Sequence, residues 1–421
     1  VKSLFFEYPT IENRKLFIKE SIIWVVLAII IGGLIGSVST LFLMSLDWVT
    51  QTREDNVMVI WLLPLAGMLI IWLYQLSGKF LDKGNNLLIS EYHQPKTVIS
   101  WLLTPLIFVT TLITHLFGGS AGREGTAMQM GSSIADQFSF LFKDKALHRK
   151  TLIICGISAG FGSLFGTPIT GIVFGFEVLI LIKIPIISLL PAVLSTYTAF
   201  YISTTLNAPH THYDAVLYNQ SNPLDIIWFI LAGLLFGGAS YLFVSMQLFF
   251  KDLIKKLNQS PYLIIAVGGV LVSIFAHFMG TKYIGLGIPI IADSFDMMLP
   301  VYDFLLKILL TTFTLAIGFK GGEVTPLFFI GATLGNALFI FGMPLPLEVL
   351  AAVGFVAVLA GATNTPLACS VMGIELFGME LGVFFVLTCY IAYLVSGKNS
   401  VYEAQQLPPS KAKLYKKLKR I

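Results

Sequence analysis

Charge is what this chain has least of. Only 12% of its 421 residues are Asp, Glu, Lys or Arg, about half the ~25% of a soluble domain. So little charge cannot cover a large surface in water, which excludes a soluble globular enzyme and a nucleic-acid binder. Cysteine is scarce too. Cys155, Cys369 and Cys389 sit inside apolar runs with no CxxC spacing, so they read as small core residues. A disulfide framework and a cysteine metal site are both excluded. His93, His115, His148, His210, His212 and His277 have no ligand-like spacing, and no HExxH, phosphate loop or dinucleotide fingerprint occurs. No metal, cofactor or nucleophile–base pair is therefore expected. No small-residue cleavage site follows the first apolar run, which reads as a membrane helix rather than a leader.

Apolar length is what is present. Hydrophobic residues make up 56% of the chain, and the mean hydropathy is +0.83. Runs long enough to cross a bilayer lie at 20–45, 57–76, 185–205, 225–248 and 262–279. The net charge of +4 comes from the ends: Lys2, Arg14, Lys15 and Lys19 precede the first run, and Lys411, Lys413, Lys416, Lys417, Lys419 and Arg420 close the chain. Lys/Arg excess marks cytoplasmic flanks, so both termini are expected on the cytoplasmic side of a plasma membrane. A basic tail against anionic lipid fits the same topology. The residues after Tyr402 are too few for a cytoplasmic domain.

Four motifs occur twice in the same order, roughly 200 residues apart. Ile22–Ala28 (IIWVVLA) returns as Ile226–Ala232 (IIWFILA), and Gly84–Ile89 (GNNLLI) as Gly285–Ile290 (GLGIPI). Gly122–Thr126 (GREGT) returns as Gly321–Thr325 (GGEVT), and Thr167–Glu177 as Thr365–Glu375. The expected organisation is an all-α polytopic protein with repeats at 20–205 and 225–405. A short segment (1–19) precedes them, a polar linker (206–224) joins them, and a basic tail (406–421) follows. His210 and His212 lie in that linker and are expected in solvent.

Within each repeat several apolar runs are short and end in Gly, Pro, Ser or Thr. Broken backbone is tolerated at membrane depth only where it lines a polar cavity or is buried in protein. The inference is a midplane site built from helix ends of both halves, as in transporters and channels. Glu124, amid the glycines of GGSAGREGT, is the most informative residue. A helix N-terminus suits an anion, and a charged carboxylate there can take the anion's place. Protonation would release it. An ordinary pair with Arg123 would leave the glycines unexplained. Glu323, at the repeat position of Glu124, is either an ion-pair partner of Lys320 or a second proton carrier. Gly84–Leu88 offers amide donors through Asn85 or Asn86. Glu177 and Glu375 end matched helices and are expected to be structural.

At these residues the chain resembles the CLC family of anion channels and proton-coupled antiporters, over roughly residues 20–405. The resemblance implies two inverted repeats of broken, tilted helices, a homodimer with one pathway per subunit, and an anion path lined by three motifs. In the family these are GSGIP, GREGP and GxFxP, with a Tyr near the end. Here they correspond to Gly84-Asn85-Asn86-Leu87-Leu88, Gly122-Arg123-Glu124-Gly125-Thr126, Gly322-Glu323-Val324-Thr325-Pro326, and Tyr402. By resemblance Glu124 is the gating glutamate. Asn85 replaces the chloride-type serine, Thr126 the proline and Val324 the phenylalanine. Val178 stands where chloride/proton exchangers carry an internal proton glutamate. Loss of the serine with Glu124 and Glu323 present resembles the fluoride branch, which exports fluoride in exchange for protons. With Val178 unable to carry a proton, the resemblance implies that Glu124 travels further along the path, handing over near Glu323. A chloride/proton antiporter and a passive anion channel stay open as alternatives.

Overall fold

The computed structural model describes residues 14–142, 145–179, 185–218, 222–408, 411–413 and 415. The start of the N-terminal segment and the basic cluster at 416–421 lie outside the described residues.

In the first half, α1 (Arg14–Asp55) and α2 (Leu63–Ser77) precede the nine-residue α3 (Asn85–His93). Then follow α4 (Leu103–Leu116), α5 (Glu124–Gln137), α6 (Lys145–Phe165), α7 (Pro168–Leu179) and α8 (Ile186–Thr205). The second half repeats the series. It runs α9 (Asp225–Leu257), α10 (Pro261–Met279), the nine-residue α11 (Ile288–Asp296), α12 (Asp303–Ala316), α13 (Val324–Ile340), α14 (Leu347–Thr363), α15 (Pro366–Phe377) and α16 (Gly382–Val395). Among the described residues, five helical spans are long and apolar enough to cross a membrane: Ile22–Asp55, Val57–Ser77, Ile186–Thr205, Asp225–Leu257 and Pro261–Met279. The first runs ten residues beyond the apolar stretch that ends at position 45, because polar residues continue the helix to Asp55 without a breaker.

Short helices gather in the centre, and sequence explains their ends. Gly118 (φ 87°) and Gly318 (φ 116°) adopt the left-handed backbone that stops α4 and α12 at matching places. Pro168 and Pro366 open α7 and α15, where a missing N–H costs nothing. α14 is apolar all round, and every side chain from Val349 to Thr363 is buried, as suits a central helix. It packs on α13 through bare backbone: a Cβ on Gly331 would lie 2.0 Å from the Gly354 carbonyl oxygen. The repeat-related crossing of α5 and α6 is the same, since a Cβ on Gly131 would lie 2.2 Å from the Gly156 oxygen. Close approach through small residues substitutes for the hydrophobic drive that lipid does not supply.

Candidate anion site

The N-termini of α5 and α13 meet in the centre. Gly122 N–H donates to the Gly322 carbonyl at 2.6 Å, and Gly322 N–H returns the bond to Gly122 at 2.7 Å. Neither position has room for a side chain, since a Cβ on Gly322 would lie 2.7 Å from the Gly125 nitrogen. The glycines around Glu124 thus let two helix ends approach to main-chain contact, and their unpaired N–H groups point into one small volume.

Glu124 fills that volume and is fully buried. Its Oε2 accepts the Arg123 N–H at 3.1 Å and the Thr325 N–H at 3.0 Å. Its Oε1 accepts a short hydrogen bond from the Thr325 hydroxyl and lies 3.8 Å from Arg123 Nε. The carboxylate of the first repeat therefore occupies the N-terminus of the second repeat's helix. Such charge-assisted bonds are the strong ones.

Near this point lies a cavity of about 140 Å³. Asn85, Gln129, Gln247, Glu323 and Tyr402 line it. Asn85 and Asn86 have different jobs. Asn86 Oδ1 accepts the Ala404 N–H at 2.9 Å and so holds the strand of chain carrying Tyr402. Asn85 reaches toward the site: a Cβ on Gly125 would meet its Nδ2 at 2.7 Å, and its Oδ1 has no hydrogen-bond partner among the described residues. The Tyr402 hydroxyl and Gln129 Oε1 are likewise buried without one. Buried polar atoms in this condition face a polar ligand or water.

Glu323 stands at the N-cap position of α13 beside the cavity, and its Oε1 accepts from Gln247 Nε2 at 3.4 Å. The ion pair with Lys320 offered as one reading is not formed, because Lys320 pairs with Asp82. Val324 is buried in the first turn of α13. Thr126 stands apart from the other candidates: its hydroxyl bonds Thr111 on α4 at 2.8 Å. On the opposite side of Glu124, Arg123 Nη2 donates to Thr211 in the linker at 3.4 Å. The linker is not simply solvated, which corrects the expectation for His210. Its Nε2 bonds the Ser163 carbonyl at 2.8 Å, and the ring packs against Gly166. His212 is exposed.

Gln247 and Thr325 show what motif reading catches and what it misses. Thr325 was legible as part of a repeated motif. Gln247 lies in the long apolar α9 as an ordinary helical polar residue, and only the fold brings it to Glu323. Glu177 and Glu375 are reciprocal caps. Glu177 accepts the Leu367 and Ala368 N–H groups at 3.0 and 2.7 Å, and Glu375 those of Ile169 and Thr170 at 3.0 and 2.6 Å.

Residues 66–397 match the family described as voltage gated chloride channel. A chloride/fluoride channel protein of Pseudomonas syringae pv. tomato is 43% identical over 403 residues, covering 92% of this chain and 87% of that one. The solved structure of a CLC-type fluoride/proton antiporter aligns with a TM-score of 0.88 at 35% identity, covering 92% of this chain and 98% of that one. A slow cyanobacterial Cl⁻/H⁺ antiporter shares the fold, with a TM-score of 0.76 at 22% identity over 94% of this chain and 97% of that one. Two helix ends meeting at a buried glutamate, a duplicated series of broken helices and these likenesses agree: the chain belongs to the voltage-gated chloride channel (CLC) family and has the CLC fold.

Proposed function

We propose that this chain exports fluoride in exchange for protons across a plasma membrane and so protects a cell from fluoride. The observation that carries the reading is the Glu124 carboxylate bonded to the Thr325 N–H and hydroxyl at the head of α13. It is an anion in an anion's place. A second negative charge ~4 Å away costs about 4 kcal/mol at an effective dielectric of ~20, so charged Glu124 and fluoride exclude each other. Protonation removes that repulsion, and the carboxyl leaves the donors to the incoming ion. Fluoride is small and strongly hydrated, so its site needs close, strong donors. The Thr325 and Arg123 N–H groups, the Thr325 hydroxyl and the Asn85 amide supply them. Glu323, beside the cavity, receives the proton that Glu124 brings. The names and functions of the related proteins support fluoride and protons as substrates.

The same reading takes residues 20–205 and 225–405 as two repeats that each contribute one helix head to the site. The flanking segments 1–19 and 406–421 are cytoplasmic, and the protein works as a homodimer with one pathway per subunit. Purified protein in liposomes, followed with fluoride and chloride electrodes and a pH probe, tests the function. Fluoride movement that drives, and is driven by, a pH difference is expected. Fluoride flux indifferent to pH would make the protein a passive channel, and chloride-driven proton movement of equal size would make it a chloride exchanger. Glu124→Gln is expected to end proton coupling, and normal stoichiometric exchange in that variant contradicts the mechanism. Glu323→Gln is expected to slow proton movement, and unaltered coupled transport removes Glu323 from the path.

A further inference from the structure

Lys307 on α12 is fully buried. A lysine at membrane depth is rare, costly and usually functional. Its Nζ donates to the carbonyl oxygens of Tyr283 and Gly285, each at 2.9 Å, and stands 5.1 Å from the Phe329 ring centre. Two carbonyl acceptors and a ring face suit an ammonium ion. Asp303, one turn earlier on the same helix, is taken by Lys282 at 3.0 Å and by the Tyr283 hydroxyl at 2.6 Å. Among the described residues no carboxylate lies within ion-pair distance of Lys307.

A second buried cation stands beside it. A Cβ on Gly285 would lie 2.6 Å from Arg53 Nη1, which donates to the His115 carbonyl at 2.8 Å. The carboxylate that Arg53 meets is Glu54 at 3.4 Å, whose side chain is 56% exposed. The same loops reach the anion site. Gly285 N–H donates to the Gly119 carbonyl at 3.1 Å, and Ser120 Oγ to the Tyr283 carbonyl at 2.9 Å. His115 Nε2 lies 3.4 Å from the Gly122 oxygen. With Arg123, three buried cations thus stand behind the head of α5, and one of them, Arg123, has its Nε 3.8 Å from the buried Glu124 carboxylate.

We infer that Lys307, supported by Arg53, is a fixed counter-charge for the transported anion and sets the affinity of the site through its field rather than by contact. In a low-dielectric interior without mobile ions, such a field is weakly screened. While Glu124 is charged, it offsets one of the three positive charges. Once Glu124 takes a proton, that offset is missing until an anion arrives. The three cations therefore tie anion occupancy to protonation. This deepens the proposed function and rests on it.

The test separates charge from hydrogen bonding. Lys307→Gln keeps an amide to donate to both carbonyls and removes the charge, while Lys307→Arg keeps the charge. Fluoride and chloride titrations by calorimetry on the purified full chain are paired with liposome flux and melting curves. Lys307→Gln is expected to raise half-saturating fluoride about tenfold, with maximal turnover within about twofold. Tenfold is about 1.4 kcal/mol, the order of a single charge acting without contact through a protein interior. Lys307→Arg is expected to stay within about twofold of the native affinity. Native affinity in Lys307→Gln, with only a lower melting temperature, would reduce Lys307 to a clamp between loops and overturn the inference. If Lys307→Gln does not fold, Arg53→Gln against Arg53→Lys makes the same comparison. A native protein that binds chloride and not fluoride ends the fluoride reading instead, and the charge effect is then read on chloride.

Discussion

At the scale of single residues, the site divides into groups that touch the ion's place and groups that hold those in position. Thr325 gives Glu124 both a main-chain N–H and a hydroxyl. Thr325→Val removes only the hydroxyl, and a bond to a charged group is worth about 1.5–3 kcal/mol. Turnover is expected to fall about tenfold or more while the fluoride-to-proton ratio stays native, and a changed ratio would mean the hydroxyl itself sets coupling. Asn85 and Asn86 offer a paired experiment. Asn85→Ala is expected to lower fluoride selectivity in electrode measurements. Asn86→Ala frees the Ala404 N–H, costs about 1 kcal/mol in melting, and leaves selectivity unchanged. A reversed pattern would exchange their roles. The sequence named both asparagines without choosing, because adjacent helical residues point about 100° apart and only a neighbour can tell them apart. It was silent on Lys307, whose acceptors are carbonyls more than 20 residues away in the chain. Main-chain acceptors leave no motif.

At the scale of helices, the duplicated pattern was legible because both halves must solve the same problem of ending helices at membrane depth. Glycine punctuation gave where α4 and α12 stop and where α5 and α13 start. What the pattern does not encode is which bare glycines face each other. Gly331 on α13 and Gly354 on α14 do so with no space for a methyl group. Gly331→Ala is expected to cost about 1–3 kcal/mol by overpacking, read as a loss of folded protein on heating. A variant as stable as the native protein would show that these helices can part without strain. The exchange of caps by Glu177 and Glu375 was also hidden: each looked like the end of its own helix, yet each serves the start of the helix that carries the other.

At the scale of the whole molecule, the C-terminal segment returns to the core. Val401 N–H donates to the Ala362 carbonyl, and Lys411 Nζ bonds Asn364 at 2.6 Å and Ser396 at 3.2 Å over the Tyr393 ring. Burial pushes the Lys411 amine down to about 7. Its folded value lies below its unfolded one, so the unfolded tail binds more protons between them. Docking of the tail is therefore expected to strengthen as pH rises from about 7 toward the usual lysine range, and to be weakest at or below about 7. Protease protection of the segment after Tyr402, measured across that range, checks the sign; Lys411→Met should flatten the profile.

The paired main-chain bonds between Gly122 and Gly322 stitch the two halves together beside the buried Glu124 carboxylate, the point where the proposed exchange has the ion pass. A transporter that alternates by swinging one half against the other would have to rip that seam at each cycle and leave two amides bare in a dry interior. Under the proposed exchange the seam would stay closed, and the moving part would shrink to a swivelling carboxylate.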